Sequence, residues 1–289
     1  MAGRLGLTGS GKPPRWWRVV LPVGVLLCAA CSSTPSRAAG TPAGYPSSIV
    51  VIGHSGSTGR ATDPNWPVKD VPRNSWATGD NPAVNSVYLR ILALNPAVRG
   101  HAANLAVDGT AVDQLDVQAQ EALRIKPLPD LFLIETLDND IRCDGTDEQN
   151  YAPFGASFER ALDRITHGAP HAKIFVVGSP AGSVESVTAV RSKFPDFIKL
   201  AGGDAPCDTL DSAGHIRKAG ILKVNTIVKG YQGELASHCA KFPQCRYDGG
   251  ALSRMAVTAE DLAVDHVHLS IAGHRKQAEV EWAALNLAP

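Results

Sequence analysis

Short, almost continuous apolar runs are the feature that most constrains the fold of this 289-residue chain. Four such runs cover residues 48–52, 102–107, 131–136 and 174–178. Each is too short for a buried helix, and none alternates between apolar and polar residues. Uninterrupted apolar strands of this kind are typical of parallel sheets that are covered on both faces.

Amphipathic stretches separate the apolar runs and predict the covering helices. They cover residues 83–94, 112–125, 154–166 and 221–239, and a last stretch, 270–287, opens on Ser270, which can cap a helix. The alternation predicts an α/β fold: a three-layer α/β/α sandwich around a mostly parallel sheet of about five strands. In such sheets, ligands bind outside the carboxyl ends of the strands.

The amino terminus predicts export. Basic residues precede an apolar run over residues 19–30, so residues 1–31 are interpreted as a signal peptide. The sequence Cys28-Ala-Ala-Cys31 resembles a bacterial lipobox without its usual Leu, which leaves two alternatives: an acylated Cys31 that anchors the protein to a membrane, or ordinary cleavage near Ala39. Residues 32–44 are predicted to be a flexible linker, and residues 45–289 a single domain.

Charge and composition exclude one class of partner. The formal net charge is zero, and no long basic run follows the predicted signal. A nucleic-acid partner held through its phosphates is therefore not expected. We expect a monomer, secreted or anchored in the cell envelope, that acts without a cofactor.

Four cysteines fall in the predicted domain: Cys143, Cys207, Cys239 and Cys245. In an exported chain, an even number of separated cysteines indicates disulfides, and three pairings are possible. We favour Cys239 with Cys245, which closes a short loop around Pro243, and Cys143 with Cys207. A structural zinc site is the alternative, but no Cys-x-x-Cys pair supports it.

Ser55 and a distant Asp–His pair are the residues that most suggest chemistry. Ser55 lies in Gly53-His-Ser-Gly-Ser-Thr-Gly59, directly after the first apolar run, where a turn exposes a side chain. Asp265 precedes His268 by three residues, close enough in a tight turn to bind Nδ1 and leave Nε2 free. A serine hydroxyl needs such a base to become a nucleophile, so the three residues together suggest acyl transfer.

Two further positions can supply donors to a developing oxyanion. Gly109 follows the second run and has no side chain to block approach to its N–H group. Asn139 follows the third run, and its amide donates a hydrogen bond without carrying charge. Both positions are also compatible with ordinary turns.

The four segments together resemble those of the SGNH (GDSL-type) hydrolase superfamily. The residues that carry the resemblance are Ser55, Gly109, Asn139 and the Asp265-x-x-His268 pair, which follow the four family blocks in order. The resemblance covers essentially residues 48–287 and implies a flavodoxin-like sandwich. It further implies an exported esterase or lipase-like enzyme in which the backbone N–H of Ser55 joins Gly109 and Asn139 in holding the oxyanion. Two residues depart from the pattern: His54 replaces an Asp, and Leu137 replaces a Gly.

Three alternatives remain open from the sequence. The segment Gly53-His-Ser55-Gly-Ser57 is similar to the Gly-x-Ser-x-Gly elbow of α/β-hydrolases, which strand order would distinguish. The pair His266 and His268, with Asp261 or Asp265, suggests a zinc site. A non-catalytic envelope lipoprotein that binds glycan or lipid would keep the same fold.

The Pro-rich segment 60–81, with Trp66, Arg73 and Trp76, follows the predicted nucleophile. A long loop in this position can cover a site, and a packed surface loop is equally compatible with the sequence. Neither the acyl length nor the alcohol part of the substrate follows from these residues.

Overall fold

A computed structural model describes residues 44–287 of the chain. The predicted signal peptide, Cys31 and almost all of the predicted linker lie outside these residues. Between residues 44 and 287, no helix combines the length and the apolar character that a membrane span needs.

Five parallel strands form a single sheet. They are β1 (Ile49–Gly53), β2 (Ala102–Asn104), β3 (Leu131–Glu135), β4 (Lys173–Val177) and β5 (Cys245–Tyr247). Their order across the sheet is β2-β1-β3-β4-β5, and every neighbouring pair is parallel. The predicted α/β class is confirmed, and the sheet is entirely rather than mostly parallel.

Helices cover both faces of the sheet. They are α1 (Val87–Leu94), α2 (Leu115–Ala122), α3 (Asp147–Gly168), α4 (Val184–Lys193), α5 (Ile198–Ala201), α6 (Lys218–Cys239) and α7 (Ile271–Leu285). Helices α2, α3 and α6 share a core with one face of the sheet, whereas α1 and α7 pack on the other. Ser270 caps α7 as predicted, since its hydroxyl accepts the Gly273 N–H.

The strands alternate their side chains between the two cores. In β3, Phe132 and Ile134 face the α2–α3–α6 side, while Leu131 and Leu133 face the α1–α7 side. All four side chains are fully buried. Burial on both faces explains why these strands are continuously apolar in sequence.

Several predicted boundaries were wrong. Within the apolar run 102–107, regular strand covers only Ala102–Asn104, although Leu105 N–H and Val107 N–H still donate to Val51 O and Gly53 O of β1 before the Gly109 turn. Helix α3 begins at Asp147 and contains Pro153, although the prediction began after that proline. One lost backbone hydrogen bond is tolerated in a 22-residue helix whose apolar face is buried. Strand β5 and helices α4 and α5 were not predicted.

Two disulfides brace the α6 side of the sheet. Cys239 pairs with Cys245 and joins the end of α6 to β5, and Cys143 pairs with Cys207. The favoured pairing is confirmed. The second bond ties the segment after β3 to the long excursion between α5 and α6.

The strand order creates one switch point, between β1 and β3. Connections leave these adjacent strands in opposite directions, so a crevice opens outside their carboxyl ends. Ser55 follows β1 and Asn139 follows β3 at this edge. The residues selected from the sequence therefore lie where this fold binds ligands.

Candidate active site

The turn that carries Ser55, here called the Ser55 turn, begins at a glycine whose position leaves no room for a side chain. Gly53 ends β1 at φ +133°, and a Cβ there would lie 1.8 Å from the carbonyl oxygen of Glu135. The chain then turns sharply into a 3₁₀ turn over Ser55–Ser57. Ser55 is 8% exposed, with its hydroxyl directed into a cavity.

His54 fulfils a local role that suits an aspartate. Its Nδ1 accepts the backbone N–H of Gly56 at 2.9 Å, which is the two-residue reach of an Asx turn. Because Nδ1 accepts, the ring carries its proton on Nε2, which lies 3.6 Å from a carboxylate oxygen of Asp138. His54 therefore makes, through a ring nitrogen, the local hydrogen bond that an aspartate carboxylate could make at this position.

His268 and Ser55 are in hydrogen-bond contact although 213 residues separate them. The distance from Ser55 Oγ to His268 Nε2 is 2.8 Å. On its other side, His268 Nδ1 lies 2.6 Å from Asp265 Oδ2. A carboxylate accepts only, so Nδ1 donates and Nε2 is free to take the serine proton.

Asp265 is held by its own turn. Its Oδ1 accepts the backbone N–H groups of Val267 and His268, at 3.1 and 3.0 Å. Partial burial raises the pKa of Asp265, but the hydrogen bonds from the His268 ring and from these two N–H groups outweigh that effect and lower it overall. The carboxylate is therefore ionised and oriented toward Nδ1.

The second histidine of this loop has a different function. His266 adopts φ +61° and stacks on Phe194, with ring centroids 4.0 Å apart. Asp261 accepts from Thr258 and from Lys276 Nζ. The residues of the zinc alternative thus have separate partners, and nowhere in the described chain do three or more His, Cys, Asp or Glu side chains form a metal-binding group.

Gly109 lies in a tight turn after β2, next to Asp108, which lines the cavity that Ser55 also lines. The turn closes through Thr110 N–H to Val107 O, and Gly109 has φ +74° at its third position, where glycine is favoured. Within residues 44–287, no acceptor takes the N–H of Gly109 or that of Ser55. Both groups are free to bind a substrate oxygen.

Asn139 lies on a short 3₁₀ turn over Asp138–Asp140 and lines the same cavity as Ser55. Its Nδ2 donates one hydrogen bond to Thr110 O at 2.8 Å, which orients the amide and links this turn to the Gly109 turn. An amide nitrogen carries two hydrogens, so one donor remains.

The structure explains how Leu137 can occupy the position at which the family pattern has Gly. It precedes the Asn139 turn at φ +118°, a conformation that glycine adopts freely and leucine rarely. Its side chain is fully buried in the α2–α3–α6 core. The backbone keeps a glycine-like shape, and the strain is offset by apolar burial.

Two acidic side chains that line the cavity have partners, a cation for Asp108 and a neutral ring for Asp138. Asp108 pairs with Arg60 at 3.1 Å, and Asp138 faces the His54 ring. Burial raises the pKa of Asp140 to about 6, although the carboxylate also accepts the Val112 N–H. These arrangements limit the repulsion that an oxyanion would meet.

Glu135 is a contributor that the sequence analysis missed. It ends β3 and is 5% exposed. It lies beneath the Ser55 turn, since a Cβ on Gly56 would be only 2.8 Å from Glu135 Oε1. It accepts hydrogen bonds from Ser57 Oγ, Trp76 Nε1 and Gln277 Nε2. A charged residue inside an apolar strand was the available signal.

A cavity of about 520 Å³ opens beside Ser55 and His268. This volume lies in the range of small-molecule sites. None of the residues 60–81 lines it. Instead, Trp76 is fully buried and supports Glu135, whereas residues 64–70 are exposed, so the segment is a surface loop that is packed at its Trp76 end.

The strand order separates the two hydrolase folds that the serine motif allowed. Here Ser55 follows the first strand of the described chain, in the order β2-β1-β3-β4-β5, and Asp265 lies three residues before His268. The α/β-hydrolase alternative requires the elbow after several strands, so that alternative was wrong.

No family model and no curated protein matches the chain in sequence. Solved structures of similar fold include a lipase from a goat rumen metagenome, which is 12% identical with a TM-score of 0.49 over 82% of this chain and 96% of its own. An extracellular lipase from Streptomyces rimosus is 14% identical, with a TM-score of 0.48 over 82% and 99%. A family 3 carbohydrate esterase from Clostridium thermocellum is 14% identical, with a TM-score of 0.45 over 82% and 93%.

At identities this low, these comparisons describe a likeness of fold and not of activity. The chain's own strand order is the flavodoxin-like order that the SGNH resemblance implied, so that prediction of the fold is confirmed. Ser55, Asn139 and His268 line one cavity at this edge of the sheet, and the Gly109 turn contributes Asp108 to its lining, whereas Gly109 itself does not line it.

Proposed function

We propose that this protein is an exported serine esterase of the SGNH type, which hydrolyses carboxylic esters through an acyl-enzyme on Ser55. One observation carries the proposal: the hydrogen-bonded series from Asp265 through His268 to Ser55, with distances of 2.6 and 2.8 Å, beside an open cavity. A carboxylate, an imidazole and a serine in this order form the machinery of acyl transfer.

The first half of the reaction forms the acyl-enzyme. His268 Nε2 takes the proton of Ser55 Oγ as that oxygen attacks the ester carbonyl carbon. The carbonyl oxygen becomes an oxyanion, which the N–H groups of Ser55 and Gly109 and the remaining N–H of Asn139 stabilise. His268 then gives its proton to the leaving alcohol, and Asp265 stabilises the imidazolium meanwhile.

The second half releases the acid by the same groups. A water molecule gives one proton to His268 Nε2 and attacks the acyl carbon, and the oxyanion forms at the same donors. The bond to Ser55 Oγ then breaks, and Oγ recovers the proton from His268. The cycle consumes one ester and one water, and it needs no cofactor.

Export is part of the proposal. Two disulfides in the described chain suit an oxidising compartment. Residues 1–31 would be the signal, and Cys31 would carry a lipid if the envelope-anchored form exists. Cys31→Ala followed by cell fractionation distinguishes the two forms. If Cys31 carries the lipid, the variant should leave the membrane fraction, and if the protein is released in the ordinary way, its distribution should not change.

Hydrolysis of p-nitrophenyl butyrate by the purified mature protein tests the proposal. We expect turnover that Ser55→Ala reduces by at least about a thousandfold. Ser212→Ala, in an exposed loop, is the matched control and should retain wild-type activity. Absence of turnover, or full activity in Ser55→Ala, would defeat the enzyme proposal and favour a non-catalytic glycan- or lipid-binding protein.

A further inference from the structure

The cavity beside Ser55 has a polar side, an apolar side after β4, and a further set of apolar residues near His268 in the chain, namely Val257, Leu262, Val267 and Leu269. The polar side includes His54, Asp138 and Asn139. The apolar side is formed by Ala181 after β4, Val187 and Val190 on α4, and Phe197 beyond it, which together are called the apolar wall. A small-molecule site with this division binds an aliphatic group against the wall and orients it from the polar side.

The position of the apolar wall indicates which part of an ester would contact it. The carboxyl edge of the sheet presents, in order, the Gly109 turn after β2, Ser55 after β1, Asn139 after β3 and the apolar wall after β4. In the tetrahedral intermediate, the oxyanion faces the N–H donors and the leaving oxygen faces His268 Nε2. The acyl substituent would then extend along the edge of the sheet, from Ser55 past the Asn139 turn toward the wall after β4.

The chemistry of the wall excludes a charged acyl group. Ser179, Pro180, Gly182 and Ser186 complete this side of the cavity, and none of the lining residues between 179 and 197 carries a charge. A carboxylate or phosphate on the acyl part would be desolvated there without a partner. An acetyl group has only one methyl group to bury against the wall, so it gains little from this apolar surface.

We propose that the apolar wall is the acyl-chain site, and that the substrates are esters of aliphatic acids of about four or more carbons rather than acetylated glycans. This inference rests on the proposed esterase function. The wall residues Val187 and Val190 are 7% and 4% exposed, so they form a fixed surface against which methylene groups lose their contact with water.

A chain-length series tests the inference. The purified mature protein is assayed on p-nitrophenyl acetate, butyrate, hexanoate and octanoate, which share one leaving group. Each buried methylene is expected to raise kcat/KM about threefold to fourfold. Hexanoate should therefore exceed acetate by at least about tenfold. A maximum at acetate would overturn the acyl-chain assignment while leaving the esterase function intact.

Substitutions in the wall locate the effect. Ala181→Phe narrows the cavity at a half-exposed residue, and it should lower the hexanoate-to-acetate ratio of kcat/KM at least about tenfold. Phe197→Ala widens the cavity and should move the maximum to a longer chain. Val117→Phe, on an exposed position of α2 outside the cavity, is the control and should keep the wild-type ratio.

A second series separates the two ends of the ester. Ethyl, butyl and hexyl acetate vary the alcohol, and their rates should change little along the series and show no added sensitivity to Ala181→Phe. If rates rise with alcohol length and Ala181→Phe removes that rise, the wall binds the alcohol and the inference is wrong. Labelling of Ser55 by a fluorophosphonate verifies that each variant is folded, and absence of turnover in the wild type instead contradicts the proposed function.

Discussion

The two sides of Ser55 are organised differently. On the histidine side, Ser55, His268 and Asp265 are already joined at 2.8 and 2.6 Å, and Asp265 accepts three hydrogen bonds in its own turn. On the oxyanion side, the N–H groups of Ser55 and Gly109 have no acceptor within residues 44–287, and Asn139 uses only one of its amide hydrogens. The hydrogen bonds of the histidine side are complete without a substrate, whereas the oxyanion side keeps N–H donors that have no acceptor.

This difference matches what each side would do. Proton transfer requires a base that is oriented before the substrate arrives, because the wrong tautomer cannot accept the serine proton. Oxyanion stabilisation requires donors whose partner appears only as the reaction proceeds. Strand β3 supports both sides. Glu135, at its end, lies beneath the Ser55 turn, and Leu137, two residues later, precedes the Asn139 turn.

The largest effect is expected on the histidine side. Asp265→Asn should lower kcat by about a thousandfold to ten-thousandfold, since the amide can donate to Nδ1 and so fix the unproductive tautomer. Steady-state kinetics with p-nitrophenyl butyrate measures this change. Asp204→Asn, at an exposed position, is the control. An activity within tenfold of wild type would mean that Asp265 does not orient His268.

The same variant has a pH signature in stability. The pKa of Asp265 is lowered in the folded protein, so its ionised form stabilises the fold above its unfolded pKa of about 3.9. That contribution disappears as pH falls through the lower, folded value. Thermal unfolding of Asp265→Asn should therefore differ most from wild type at neutral pH, and the difference should shrink toward pH 3. A constant difference from pH 3 to 7 would contradict the role of the charge.

A smaller loss is expected on the oxyanion side. Asn139→Ala should lower kcat by about a hundredfold to a thousandfold with little change in KM, since the lost donor binds mainly the transition state. Asn139→Asp has the same size but offers an acceptor, so it should not rescue the activity. Asn65→Ala, in an exposed loop, serves as the control. A loss confined to KM would indicate ground-state binding instead.

The smallest effect is expected at Glu135, which lies beneath the Ser55 turn, and it is an effect on the free energy of unfolding. Glu135→Gln places an amide donor among the Ser57, Trp76 and Gln277 donors, and it should cost about 1–3 kcal/mol of unfolding free energy. Glu281 is the matched comparison, because it is fully buried on α7 and neither of its oxygens has a partner in the described chain. Glu281→Gln should therefore cost less than Glu135→Gln.

The pH dependence sharpens that pair. Burial, with Asp248 and Glu135 nearby, raises the pKa of Glu281 well above its usual value. A carboxyl group with a raised folded pKa destabilises the fold as pH rises above the unfolded pKa of about 4.3. Glu281→Gln removes this loss, so its Tm should gain on wild type between pH 4 and pH 8. A Tm difference that stays constant over this range would contradict the assignment.

The sequence was sufficient for the fold and for the residues near Ser55, but not for their support. Long apolar runs revealed β1, β3 and β4, whereas Cys245–Tyr247 is only three residues long and has Arg246 at its centre. Helix α4 was missed because few of its residues are buried: only Val187 and Val190 are. Local patterns cannot show contacts that depend on how the chain returns on itself.

The site illustrates the same limit. The short spacing of Asp265 and His268 predicted their contact, since a turn of that length fixes it. Nothing near Glu135 in the chain indicates that Trp76 and Gln277 donate to it, since these residues come from a distant loop and from α7. The effect of Leu137 was equally hidden, because its backbone angle follows from the packed turn and not from its side chain.

Active-site labelling tests the pairing of Ser55 with His268 most directly. The mature protein is treated with a fluorophosphonate, and intact mass and peptide mapping identify the modified residue. We expect one adduct, on Ser55, that Asp265→Asn and His268→Ala each slow by at least about a hundredfold. An adduct on another residue, or wild-type labelling of Ser55 in His268→Ala, would contradict the assignment of Ser55 as a nucleophile activated by His268.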